Sequence, residues 1–176
     1  MAEIGRSGLA GTDVAAIAAA VGVARGTFYF HFPTKEHVLV ELERAEEVGI
    51  AAKLATKKAG CGDLLALLKL LVREVLDAEQ RLGPVVFRDM LALHFSPTRP
   101  VEDELAEHPL ASFVIGAVAE AQAAGRVSRD ADPGELGVIF MTGLFALLAT
   151  NITASRARTA LLNRYVKTIV QGMEAR

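Results

Sequence analysis

Apolar and polar positions along this chain follow the period of helices. From Val14, apolar residues recur at Ile17, Ala18 and Val21, the i, i+3, i+4, i+7 spacing that gives a helix one apolar face. Thr12 stands in the N-cap position, and Asp13 lies in the first turn, where a carboxylate meets the positive end of the helix dipole. Gly22 ends this helix and permits a sharp turn, with Val23 plugging the angle. A short second helix is predicted from Ala24 to about His31, stopped by Pro33, with Thr34 capping a third from Lys35 to about Lys58. On that third helix Glu43 with Glu47, and Lys53 with Lys57, read as like-charge pairs on a solvated face.

The remainder of the chain is also helical in period. Gly60-Cys61-Gly62 breaks the pattern, and Asp63 caps a helix whose buried side is Leu64, Leu67, Leu68, Leu71, Val72 and Val75. Gly83-Pro84 ends it and opens another through Phe87, Met90, Leu91 and His94. Pro97 and Pro100 bound a loop, and a short acidic helical turn is expected over Val101–Glu107. Pro109 opens a helix through Phe113, Val114, Val118 and Ala121, closed by Gly125. Asp132-Pro133 is an N-cap followed by proline at the first helical position, and the apolar helix it starts runs to about Thr153. The last helix carries an unbroken stripe of Leu161, Leu162, Tyr165, Val166, Ile169, Val170 and Met173.

Composition adds limits. Among the 176 residues 52% are hydrophobic and none is Trp, so Leu, Ala, Val and Ile build the core, and these suit helices. The net charge of −2 rules out a generally basic coat, so nucleic-acid binding must rest on a local site. With a single cysteine, Cys61, no intrachain disulfide can form, which fits a reducing cytoplasm. Residues Leu136–Ser155 carry no charge, but their strongly apolar part stops at Ala149, short of the ~20 residues a membrane span needs. No Gly-rich phosphate loop, nucleophile elbow or metal motif is present. Glu43, Glu46 and Glu47 read as a solvated helix face rather than as catalytic carboxylates, and His94 and His108 lack the company that would make them metal ligands. No enzyme activity, metal or cofactor is expected.

The stretch from Thr12 to Leu39 has the mechanics of a helix-turn-helix: an amphipathic helix, a glycine turn and a short second helix across it. Val23, Phe28 and Phe32 can face the core, while Arg25, Thr27, Tyr29 and His31 reach outward. Arg25 can bond a phosphate or a guanine edge, Thr27 a base or phosphate, and Tyr29 a phosphate. Lys35 adds a cation in the first turn of the next helix.

The run Thr12 to Glu36 resembles the DNA-binding signature of the tetracycline-repressor (TetR) family. The matching features are Thr12, Ile17-Ala18, Gly22-Val23, Gly26-Thr27-Phe28-Tyr29, His31-Phe32-Pro33 and Lys35-Glu36. The resemblance implies an all-α protein: a three-helix DNA-binding head over residues 1–45 and a helical ligand-binding and dimerisation body over 46–176. It implies DNA contacts by Thr12, Arg25, Gly26, Thr27, Tyr29, His31 and Lys35. Two departures are visible. The family's helix before Thr12 is represented only by Ala2–Gly8, so the first helix is expected to be truncated, and Ala24 replaces the usual Ser-like cap of the recognition helix.

In the body, Gly125, Asp132-Pro133 and an apolar helix containing Gly143 resemble the family's approach to its last two helices, which pair with their mates as a four-helix dimer interface. The interface residues are then Phe140, Leu144, Leu147, Leu161, Leu162, Tyr165, Val166, Ile169, Val170 and Met173. The terminal stripe by itself also asks for a partner. A ligand pocket in the body would be lined by Phe87, Met90, Leu91, Phe113, Met141 and Phe145, with His94 and Asn151 as polar anchors. The expected function is a cytoplasmic, homodimeric transcriptional repressor released from a palindromic DNA operator by a small hydrophobic effector. The alternative is a helical ligand-binding or interaction protein whose shortened head no longer binds DNA.

Overall fold

The computed structural model of the chain describes residues 2–58, 63–100, 108–150 and 155–174. Cys61, the expected turn at 101–107 and Asn151 lie outside the described residues. Among the described residues the chain is all-α, and its one extended pairing is an isolated antiparallel bridge between Val127 and Glu174. The helices are α1 (Ala2–Gly11), α2 (Val14–Ala20), α3 (Arg25–His31), α4 (Glu36–Lys57), α5 (Leu64–Leu82), α6 (Pro84–His94), α7 (Pro109–Ala123), α8 (Pro133–Ala149) and α9 (Ser155–Met173).

Several boundaries follow from the cap chemistry read in the sequence. Asp63 accepts from Ala66 N at 2.7 Å and starts α5, and Asp132 accepts from Glu135 N at 2.9 Å and starts α8 with Pro133 inside its first turn. At the start of α2 the expected cap is corrected. Asp13 takes it, accepting from Ala15 N at 3.0 Å, while the Thr12 hydroxyl turns back and donates to Gly8 O. The helix before Thr12 continues to Gly11, beyond the fragment expected from the resemblance, with a kink at Gly8.

The chain forms two compact units, one of Met1–Glu46 with Asp77–Glu102, the other of Glu47–Leu76 with Asp103–Arg176. In the first, Leu39, Val40, Val86 and Leu93 form one buried cluster with Leu9 packed on it, and Val14, Ala18 and Phe28 form a second. Ile17 and Val38 touch both clusters and join them into one interior. In the second unit the predicted face of α5 is buried from Leu64 through Val75, together with Val114 and Val118 of α7 and Phe140 and Leu144 of α8. No single described helix is long and apolar enough to cross a membrane.

The solvated face expected on α4 is corrected: Glu43 and Glu47 are 4% and 6% exposed. A buried carboxylate needs partners, and both have them. Within the first unit Glu43 accepts from the Arg99 guanidinium at 2.7 Å and stands 3.5 Å from His94 Nδ1. Burial pushes the Glu43 carboxyl up, but bonding from His94 and the Arg99 charge outweigh it and hold it below its usual range. Within the second unit Glu47 accepts from Leu110 N at 3.1 Å, satisfying one of the open N–H groups in the first turn of α7. Lys53 and Lys57 share one carboxylate, Glu74, at 3.4 and 2.8 Å, which sets an anion beside both cations. Lys57's hydrogen bond comes first among the causes that keep Glu74 below its usual range.

Candidate nucleic-acid interface

Helix α3 has seven residues, too few to be stable in isolation, so its position is set by what holds it. Gly22, at φ +73°, makes the turn that a side chain would strain, and it swings α3 across α2. Phe28 is the anchor: it is 5% exposed, packed with Val14 and Ala18 and against Phe32 at 5.4 Å between ring centres. Ala24 precedes the helix and supplies no side-chain cap, as its lack of an oxygen requires. The expected roles of Val21 and Val23 are corrected. Val21 is the residue after the last helical turn and is 68% exposed, and Val23 is 38% exposed rather than inserted in the angle.

With Phe28 inward, Arg25, Gly26, Thr27, Tyr29 and His31 face solvent. Arg25 and Tyr29 are one turn apart, and the guanidinium lies 5.6 Å from the Tyr29 ring centre. Bonding with Tyr29 raises the Arg25 pKa further, so the guanidinium is cationic at any working pH. The helix carries no carboxylate in its sequence Arg25–His31. An exposed helix with a fixed cation, a hydroxyl, a phenol and an imidazole on its outer faces has the chemistry to meet phosphates and base edges.

Two of the expected contact residues are placed differently. Thr12 is 7% exposed, its hydroxyl closing α1. Lys35 is half-buried, and its ammonium donates to Leu9 O at 2.8 Å and Ala10 O at 3.2 Å, carbonyls at the end of α1. From the other side of α1, Asp89 of α6 accepts from Leu9 N at 2.6 Å. The sequence reading missed Phe30, which is 84% exposed beside His31. The signal was available, since Phe30 lies two residues from both core-facing phenylalanines and so on the opposite side of the helix.

The body residues divide between the units. Phe87, Met90 and Leu91 are buried in the first unit, where His94 faces Glu43. Met141 and Phe145 are buried in the second, and Phe113 is half-buried there, 5.8 Å from the Lys58 ammonium. An open cavity of about 420 Å³ in the first unit is lined by Lys35, Asp89 and Ser96 among others. One of about 370 Å³ in the second lies by Leu64, Arg126 and Val170. Of the residues expected at the dimer interface, Phe140, Leu144, Leu162, Val166, Val170 and Met173 are buried within a single copy. Leu147, Leu161, Tyr165 and Ile169 are half-buried. Val138 and Ile139 are the large apolar side chains that α8 leaves exposed, at 53% and 54%.

Residues 1–42 match the bacterial regulatory proteins of the tetR family. No curated protein matches the sequence. Among solved structures, Thermus thermophilus FadR, a TetR family transcriptional repressor in complex with lauroyl-CoA, superposes with a TM-score of 0.82 at 22% identity, covering 99% of this chain and 92% of that one. Bacillus subtilis FadR, a transcriptional regulator in complex with stearoyl-CoA, gives 0.69 at 17% identity, covering 98% and 95%. The regulatory protein TetR from Rhodobacter sphaeroides gives 0.59 at 23%, covering 97% and 92%. At these identities the likeness is one of fold.

Proposed function

We propose, from the premise that this chain belongs to the TetR family of transcriptional regulators through its residues 1–42, that it is a homodimeric repressor released from DNA by a hydrophobic effector. Residues 1–45 bind DNA in this reading, and residues 46–176 bind the effector and a second copy. The observation that carries it is the outer surface of α3: Arg25, Thr27, Tyr29 and His31 open to solvent on a carboxylate-free helix anchored by Phe28. Two such helices, about 34–36 Å apart in the dimer, meet successive major grooves of a palindrome. The second copy covers Val138 and Ile139 of α8 and the half-buried Leu161, Tyr165 and Ile169 of α9.

The effector is a hydrophobic small molecule. Because two FadR proteins of the same fold hold lauroyl-CoA and stearoyl-CoA, fatty acyl-CoAs are the first to titrate. Phe113, Met141 and Phe145 of the second unit are the positions to substitute. Release requires that the effector bind one conformer more tightly than the other. The protein works in the cytoplasm, beside its DNA.

The test is fluorescence anisotropy with the DNA upstream of its own coding sequence, at stepped salt. Binding is expected to weaken linearly with log salt, as counterion release demands, and acyl-CoA is expected to reverse it. Sedimentation should give a dimer. Absent or salt-independent binding would sink the repressor reading. It would favour a second one, a ligand-binding protein with a silent head, to which the engagement of Lys35 with α1 and the burial of Thr12 lend support.

A further inference from the structure

Phe30 is the most exposed large apolar side chain described in the protein, and its place on α3 is specific. At about 100° per residue, Phe30 is turned about 180° from the bisector of Phe28 and Phe32, the two rings that hold α3 to its unit. It therefore lies on the line that points furthest from the core. Gly26 is one turn before it and Thr27 three residues before it, so these three share the outermost strip. A helical side chain leans over the turn that precedes it, and there Gly26 offers no side chain and has open space around it. The ring is bare for that reason. The polar groups stand to the sides, Arg25 with Tyr29 on one flank and His31 on the other.

A helix lying in a major groove puts its outermost strip against the base edges and its flanks towards the two phosphate walls. Here the strip that reaches the bases is mostly apolar, made of a benzyl ring, a threonine and a glycine. Thr27 can still bond a base edge through its hydroxyl, but the Phe30 ring cannot pair with guanine or adenine edges, and the apolar group a base edge offers in the major groove is the C5-methyl of thymine. We infer that Phe30 is a specificity-determining residue that reads thymine methyl groups in the operator half-site, with Arg25, Tyr29 and His31 fixing the helix at the backbone. The inference rests on the DNA-binding reading above. DNA is favoured over a protein partner as the occupant because the helix that carries Phe30 also carries Arg25 and His31 and has no carboxylate.

Duplexes selected by the wild-type protein from a randomised pool supply the probes, with deoxyuridine replacing thymidine one position at a time to remove a single methyl. For the wild type, replacement at the contacted position in a half-site should weaken binding about fourfold. Phe30→Ala should bind the parent duplex about tenfold more weakly, be indifferent to that same replacement, and keep the wild-type salt slope. Phe30→Leu should recover part of the affinity, and both variants should melt as the wild type does, because the ring is outside the core. Arg25→Ala should instead lower the salt slope by about one per head at unchanged methyl sensitivity. Wild-type affinity in Phe30→Ala, or a variant that still loses fourfold on methyl removal, overturns the role of Phe30 and leaves the regulator reading standing. A wild-type protein that selects no duplex overturns both.

Discussion

Helix α3 and the pair α8–α9 are each rich in large apolar residues, but they use them in opposite ways. In α3, of two phenylalanines and a tyrosine, Phe28 alone is buried, and Tyr29 and Phe30 face water. In α8 and α9 the rings are turned inward: Phe140 is inaccessible, stacks on Tyr165 at 5.7 Å, and its carbonyl accepts from the Tyr165 hydroxyl at 2.7 Å. Burial pushes the Tyr165 phenol up to about 12, against a smaller lowering from the backbone of Leu144. Leu144, Leu162 and Val166 complete the contact with almost no exposed surface. One region is held at a single point so that its surface stays free to bind, while the other is held along its length. The chain provides a natural pair of reporters, since its two tyrosines fall one in each region and it has no tryptophan.

The largest effect should come from Phe28→Ala, which removes the anchor of α3 and should cost about 3–5 kcal/mol of head stability. Denaturation followed at Tyr29 should shift to lower urea while the Tyr165 signal changes little, and DNA binding should be lost. Coincident shifts in both signals would break the comparison, showing one cooperative unit instead of two. Next is Gly143→Ala in α8. A methyl there collides with the Tyr165 hydroxyl, so about 1–3 kcal/mol of body stability should be lost, and Tyr165→Phe in the same chain should restore part of it. Calorimetry of the single and double variants decides this.

A smaller effect is expected at the buried carboxylate of the first unit. Glu43 has its folded pKa below the ordinary 4.5, so it contributes stability that is complete above that value and is lost as pH falls through the lower folded value. Glu43→Gln should cost about 1–2 kcal/mol at neutral pH and flatten the acid limb of a urea-midpoint-against-pH curve. A variant with an unchanged acid limb would show that Glu43 is not the group responsible. The smallest effect is a gain: Ala24→Ser gives α3 the missing cap oxygen and should stabilise the head by ~1 kcal/mol, seen at Tyr29 alone.

Local features of the sequence were the legible ones. The caps at Asp63 and Asp132, the break at Gly83-Pro84, the apolar face of α5 and the outward set on α3 all depend on residues within one or two turns, and each is found where the pattern put it. What could not be read depended on partners far along the chain. Glu43 is buried because Arg99, 56 positions on, reaches it, and Glu47 because Leu110 N, 63 positions on, needs an acceptor. Lys35 belongs to the same class, its ammonium drawn to the carbonyls of Leu9 and Ala10. Periodicity describes one helix at a time and has no term for such matches. The departures at Thr12, Val21 and Val23 are different: a shift of one residue at a helix end is enough to change what a side chain faces.

The grip of Asp89 on Leu9 N has a use of its own. An amide beside a break in a helix, as Leu9 is beside the kink at Gly8, ordinarily trades its hydrogen for deuterium within the dead time of an experiment, because the turns at such a break open readily. Leu9 is held by a carboxylate 80 residues away, so its exchange should be slowed, and Asp89→Ala should abolish that protection. A single slowly exchanging amide would then report whether α6 still holds α1, in a sample containing neither DNA nor effector.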